Sequence, residues 1–163
     1  MSQQTSTAIC AGSFDPPTHG HINIIERALK IFDKLVIAIA KNESKKPLFS
    51  FEERKDLLEN ILNHDKRIEI VVFEGLLVDY AEQRGITHLV RGIRTVGDYE
   101  YELQMSLANR MLNPKIETVF LMTEGHLSHI SSSIIKQVVK LGGTGKDMIH
   151  PVVEDAMKKK FKN

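Results

Sequence analysis

Apolar residues follow two alternating rhythms along the chain. Short continuous runs occur at Thr7-Ala8-Ile9-Cys10-Ala11, Leu35-Val36-Ile37-Ala38-Ile39-Ala40, Ile68-Glu69-Ile70-Val71-Val72, His88-Leu89-Val90 and Thr118 to Met122. Their length and branched content suit strands covered on both faces. The stretches between them carry helical spacing: Gly20 to Ile31, then Leu57, Leu58, Ile61 and Leu62, then Leu77 to Arg84. Further along, Val96, Tyr99, Leu103, Leu107 and Met111 share one helical face, as do Ile134, Ile135, Val138 and Val139. Local signals mark the boundaries. Ser50-Phe51-Glu52-Glu53 fits a capping box, Gly85 a C-cap and Thr95-Val96-Gly97-Asp98 a helix start. Pro114 stops a helix, Gly142-Gly143 closes one and Pro151 opens the last. Strand and helix alternate throughout, which predicts an α/β fold.

The architecture expected is a single Rossmann-like domain over residues 1–163, an open parallel five-stranded sheet with helices on both faces. A chain of this length can bury roughly 70% of its unfolded surface. No apolar run approaches the ~20 residues of a membrane span. Residues 1–6 have neither a basic region nor an apolar core, so no secretory signal is expected. The one cysteine, Cys10, builds no disulfide framework and fits a reducing, cytoplasmic setting. A net charge of +1, without basic-aromatic interleaving, gives no reason to expect a nucleic-acid partner. The lysines that crowd the last six residues read as a solvated helix end.

In open α/β sheets, ligands bind at the carboxyl ends of strands. Four polar segments follow strands here: residues 12–21, 41–46, 91–94 and 123–133. The first, Gly12-Ser13-Phe14-Asp15-Pro16-Pro17-Thr18-His19-Gly20-His21, joins a strand to a helix, so backbone N–H groups converge where an anion can sit. His21 falls at the mouth of that helix, able to donate to a phosphate oxygen. Lys45 and Lys46 precede the stiffening Pro47. Arg91 and Arg94 flank Gly92 and Ile93 at the exit of an apolar run, and a guanidinium fork suits phosphate. Their simpler reading is a salt bridge to Asp98 or Glu100. Ser131, Ser132 and Ser133 offer both helix caps and a second anion cradle. Residues 142–146 lack the Ser/Thr of a phosphate-binding loop, since Asp147 stands there, and His126 with His129 lacks further metal ligands.

Gly12-Ser13-Phe14-Asp15-Pro16, Thr18-x-Gly20-His21, Ser44-Lys45-Lys46-Pro47, Arg91-Gly92-Ile93-Arg94, Tyr99-Glu100-Tyr101-Glu102 and Ile130-Ser131-Ser132-Ser133 occur in that order. The set resembles the bacterial phosphopantetheine adenylyltransferases, within the [HT]-x-G-H nucleotidyltransferase superfamily. The resemblance runs over essentially the whole chain. It implies transfer of AMP from ATP to 4′-phosphopantetheine, giving dephospho-coenzyme A and pyrophosphate. This is the penultimate step of coenzyme A biosynthesis, with no covalent enzyme intermediate. By resemblance, His21 contacts the α-phosphate, while Ser13 and Lys45 hold the attacking phosphate and the developing charge. Arg91 binds the phosphopantetheine side and Leu77 touches the pantetheine arm. Phe14, Gly92, Ile93, Arg94 and Glu102 border the adenosine side, and Leu127, Ser128, His129, Ile130, Ser131, Ser132 and Ser133 embrace the nucleotide and outgoing pyrophosphate. Many relatives carry an aromatic residue in place of Leu127. Mg2+ bound through the ATP phosphates, a homohexamer and feedback inhibition by coenzyme A are further implications. The Ser-Lys-Lys-Pro and Ile-Ser-Ser-Ser segments argue against a nicotinamide-mononucleotide adenylyltransferase or a cytidylyltransferase. A silent nucleotide-binding module would be expected to lose His21 or Lys45.

Overall fold

Five parallel strands form one sheet in the order β3-β2-β1-β4-β5. They are β1 (Thr7–Gly12), β2 (Lys34–Ala40), β3 (Ile68–Phe73), β4 (His88–Ile93) and β5 (Glu117–Met122). The computed structural model describes residues 5–41, 47–62 and 64–162. Six helices connect and flank the strands: α1 (His19–Ala28), α2 (Phe51–Leu62), α3 (Leu77–Gln83), α4 (Val96–Leu112), α5 (Ser132–Lys140) and α6 (Pro151–Lys162). No described helix is long and apolar enough to cross a membrane.

Successive strand side chains point to opposite faces, so both faces need cover. Cys10, Leu35, Ile37, Ile39 and Val90 pack beneath Ile24, Ile25 and Ala28 of α1 and Leu58 and Leu62 of α2. On the other face Ile9, Val36, Ala38 and Leu89 meet Val78 and Ala81 of α3. Burial of Ile37 and Ile39 is complete, and each contributes ~1.5–3 kcal/mol. A third cluster joins Phe49 and Leu57 to Leu127, Ile130, Ile135, Val153 and Met157, tying α5 and α6 to α2.

The sheet order reverses at β1, and there the ladder opens. Strand β1 pairs with β2 as far as Gly12–Ile39, and β4 with β5 as far as Ile93–Met122. Between β1 and β4 the pairing ends at Cys10–Val90. The last residues of these two central strands therefore part, leaving a crevice at their carboxyl ends. This is the switch-point position at which open sheets bind ligands.

Two expectations need correction, and one apolar face proves exposed. Strand β4 extends through Ile93, so Arg91 and Gly92 are strand residues rather than a following loop. Ladder pairing to β5 carries it that far. Helix α1 stops at Ala28 rather than Ile31, with Leu29 as its cap. The apolar stripe of α4 is not core: no residue of that helix is buried. Val96 and Met111 are 77% and 85% exposed, and Leu107 is also exposed. The helix instead meets the sheet through polar side chains and an edge contact of Tyr99 on Phe120.

Candidate active site

Strand β1 delivers the chain into a tight turn whose parts constrain one another. Phe14 takes φ 48°, an uncommon choice for a side-chain-bearing residue. It is held there because its ring is 1% exposed, locked within the core. A Cβ at position 12 would lie 3.1 Å from that ring, so a side chain there would press on Phe14. Phe14 in turn packs against the imidazole of His21, with ring centroids 5.1 Å apart.

His21 is the third residue of α1 and takes part in its capping box with Thr18. The Thr18 hydroxyl accepts from the His21 N–H at 3.3 Å. In return the Thr18 N–H donates to His21 Nδ1 at 3.0 Å. That bond requires a bare Nδ1, so the remaining ring proton belongs on Nε2. Burial lowers the His21 pKa to about 4, aided by the charges of Arg94 and Arg91. The ring is thus a neutral hydrogen-bond donor at neutral pH. Beneath it, Gly92 lets α1 lie directly on β4, because a Cβ there would sit 2.8 Å from Ile24 Cγ1.

Two arginines at the end of β4 are fixed by carboxylates from α4. Arg91 Nε donates to Glu102 at 2.7 Å, and another of its nitrogens reaches the carbonyl of Ala11. Burial alone would lower the Arg91 pKa, but the Glu102 pair raises it, so the guanidinium stays charged. Arg94 Nε donates to Asp98 at 2.9 Å and its Nη1 to the carbonyl of Ile130 at 2.9 Å. Burial pushes the Asp98 carboxyl up, yet the hydrogen bonds and charge of Arg94 hold it below its usual range. The simpler reading of Arg94 as a partner of Asp98 is therefore correct. It also aims the guanidinium across the crevice to the segment before α5.

That segment closes the far wall. Ser131 caps α5 by accepting from Ile134 N at 3.2 Å, and Ser132 Oγ donates to the carbonyl of Pro16 at 2.9 Å. The second bond links the turn after β1 directly to the start of α5. The resulting cleft of about 330 Å³ is lined by Ser13, Phe14, His21, Arg91, Gly92, Arg94, Glu102 and Ile130 to Ser133, together with Cys10, Thr18 and Asp98. Burial pushes the Cys10 thiol up to about 11, so it is no thiolate.

Other expected site residues lie elsewhere. Ile93 is 1% exposed within the core. Leu127 packs in the cluster of α5 and α6 rather than on the cleft. Leu77 rests on the α3 face of the sheet. Ser128 turns back to donate to the carbonyl of Gly125, and neither it nor His129 lines the cleft. Lys45 falls outside the described residues, with Ser44 and Lys46. Among the described residues, no group of three or more His, Cys, Asp or Glu side chains is gathered to hold a metal ion.

Sequence reasoning missed one buried charge cluster beside the cleft. Asp15, 6% exposed, accepts from the N–H groups of Leu48 and Phe49 at 3.0 Å each and from Lys136 Nζ at 3.0 Å. Burial would raise its pKa, but those hydrogen bonds lower it, so it is ionised. The Pro16-Pro17 sequence drew attention to turn formation and away from this carboxylate.

Nearly the whole chain, 98% of it, matches the fold of solved structures described as adenylyltransferases. One is from Vibrio parahaemolyticus, described provisionally as a nicotinate-nucleotide adenylyltransferase; the two are 16% identical, 98% of each chain is covered and the TM-score is 0.74. Another is a bifunctional NMN adenylyltransferase/ADP ribose pyrophosphatase from Francisella tularensis, 18% identical with a TM-score of 0.71. There the match takes 98% of this chain and 51% of the longer one. The family model described as cytidylyltransferase-like covers residues 9–138, from the first strand through the helix behind the serines, and the chain belongs to that nucleotidyltransferase family.

Proposed function

We propose that the protein transfers AMP from ATP to 4′-phosphopantetheine, giving dephospho-coenzyme A and pyrophosphate. The observation that carries the reading is the lining of the switch-point cleft. His21, Arg91, Arg94 and the hydroxyls of Ser13 and Ser131 to Ser133 converge there. All of them are able to donate hydrogen bonds, and two are cations. Such a site suits a reaction that crowds several phosphates together and needs no protein nucleophile. The choice of acceptor rests on the resemblance of the segments at 12–21, 44–47, 91–94, 99–102 and 130–133.

In this reading an oxygen of the acceptor phosphate attacks the α-phosphorus of ATP. The new P–O bond forms as the bond to the β-phosphate oxygen breaks, and pyrophosphate leaves. The neutral His21 offers Nε2–H to an α-phosphate oxygen where charge develops. Ser13 and Lys45 hold the attacking phosphate, and Arg91 serves the phosphopantetheine side. Phe14, Gly92, Arg94 and Glu102 border the nucleotide, with Ile130 to Ser133 around its phosphates.

Magnesium held by the ATP phosphates would neutralise part of their charge. The cleft's own carboxylates, Asp98 and Glu102, are engaged by Arg94 and Arg91, so the chain would hold the ion through the triphosphate. The exposed apolar face of α4 supports self-association, and the family resemblance favours a cytoplasmic homohexamer. Coenzyme A, which shares the pantetheine and adenylate parts of the product, is the expected feedback inhibitor. Acceptor profiling tests the reading: ATP-dependent pyrophosphate release with 4′-phosphopantetheine is expected, and release only with nicotinate or nicotinamide mononucleotide would replace the acceptor.

A further inference from the structure

The buried cluster around Asp15 joins three parts of the chain that are far apart in sequence. Its carboxylate receives Leu48 N and Phe49 N, at the segment leading into α2, and Lys136 Nζ from α5. Arg54 of α2 approaches the same carboxylate at 3.8 Å and is 4% exposed. That arginine donates Nε to the carbonyl of Phe49 at 2.8 Å and Nη1 to the carbonyl of Ser13 at 3.1 Å. One carboxylate thus faces two cations and two backbone donors, and none of these groups reaches into the cleft.

A buried ionised carboxylate is costly unless every lone pair is used. Two of these groups tie directly to parts that carry cleft residues. Arg54 fixes the carbonyl of Ser13 itself. Lys136 stands one turn beyond Ser132 and Ser133 on α5. Asp15 lies two residues from Ser13 and six from His21. Removing it would leave Arg54 and Lys136 without their shared counter-ion and free the Ser13 turn from both neighbours.

We propose that Asp15, through Arg54 and Lys136, is the positioning residue of the reaction site. It sets the Ser13 turn against α2 and α5 so that the two anion cradles meet the same phosphates. This rests on nucleotidyl transfer in the cleft but not on the identity of the acceptor. An apolar cluster would hold these elements together equally well. A charged one fixes their distances by directional bonds, and misplacement of reacting groups by about 1 Å can cost ~10²-fold in rate.

The test compares wild type, Asp15→Asn and Lys136→Met by pyrophosphate release at saturating ATP and 4′-phosphopantetheine. For Asp15→Asn, kcat is expected to fall about 10- to 100-fold while KM for ATP moves less than about three-fold. Lys136→Met should fall less, and the double variant should be no slower than Asp15→Asn. A purely structural clamp would lower the melting temperature and leave kcat per folded molecule unchanged, which would overturn the proposal. Lys136 is partly exposed, so its variant carries the test if Asp15→Asn does not fold. A wild type silent with this acceptor would remove the acceptor and not the positioning. The same comparison is then read with the phosphate acceptor that wild type does turn over: a fall in kcat in the variants with KM for ATP little changed supports the role, and equal kcat per folded molecule removes it.

Discussion

The backbone N–H of Thr18 and the Nδ1 of His21 lie 3.0 Å apart, and this bond sets the protonation state of the imidazole. A nitrogen that accepts from an amide carries no proton, so Nε2 is the donor. The same pair caps the first turn of α1. Helix start and imidazole tautomer are therefore one piece of geometry.

His21 should act without titrating across the neutral range. Its pKa is lowered to about 4, first by burial and then by Arg94 and Arg91. The kcat profile should show no limb near pH 6.5 that disappears in His21→Ala. Two-dimensional 15N NMR should find the Nε2–H form at pH 7. The linked stability has a definite sign. The folded pKa is depressed, so the unfolded state binds this proton first. Stability is fully present above about pH 6.5 and declines toward pH 4, by roughly 3 kcal/mol for this group. Urea titrations of wild type and His21→Ala at pH 7 and pH 4.5 read the difference.

Loss of the imidazole should slow turnover far more than it weakens nucleotide binding. For His21→Ala, kcat is expected to fall ~10²–10³-fold, the usual cost of one donor to developing charge. Calorimetry should still detect ATP. Near-normal turnover would remove His21 from the chemistry.

The Arg91–Glu102 pair should behave as a unit. Arg91→Ala should weaken the acceptor more than ATP, since the resemblance assigns it to that side. Glu102→Gln should reproduce part of that loss by releasing the guanidinium, and the double variant should fall short of the sum. A loss confined to ATP would move Arg91 to the other substrate.

Much of this arrangement was legible in the sequence. Strands buried on both faces leave continuous apolar runs, as at Leu35 to Ala40, and such runs are hard to mistake. Ser50 and Glu53 form the reciprocal caps their spacing announced, at 2.8 and 3.2 Å. The segments at 12–21, 91–94 and 130–133 do meet at one cleft. What escaped depends on distant partners. Asp15 finds its donors 33, 34 and 121 residues away. Leu127 is claimed by apolar neighbours from α2, α5 and α6 that no local pattern reveals. A helical stripe says only that some surface covers it, and on α4 that surface is not the chain's own core.

Gly92 should tolerate no side chain. In Gly92→Ala the new Cβ meets Ile24 at 2.8 Å, and overpacking of this kind costs about 1–3 kcal/mol. Thermal denaturation should show the loss, and Gly92→Ala with Ile24→Ala should lose less than the sum of the two single variants, because Ile24→Ala removes the Cγ1 that the new Cβ meets.

The α4 face should carry self-association. Leu107 and Met111 are 56% and 85% exposed, and apolar patches of this kind on soluble proteins mark interaction surfaces. Sedimentation should find an oligomer for wild type and a monomer for Leu107→Glu/Met111→Glu. A monomeric wild type would contradict the assembly.

The most direct measurement is mass analysis of the product formed from ATP, magnesium and 4′-phosphopantetheine, with pyrophosphate followed in parallel. Dephospho-coenzyme A and pyrophosphate appearing in equal amounts, and only when the acceptor is present, is the expected result. No adenylylated pantetheine product, with turnover on another phosphate acceptor, would contradict the proposed reaction.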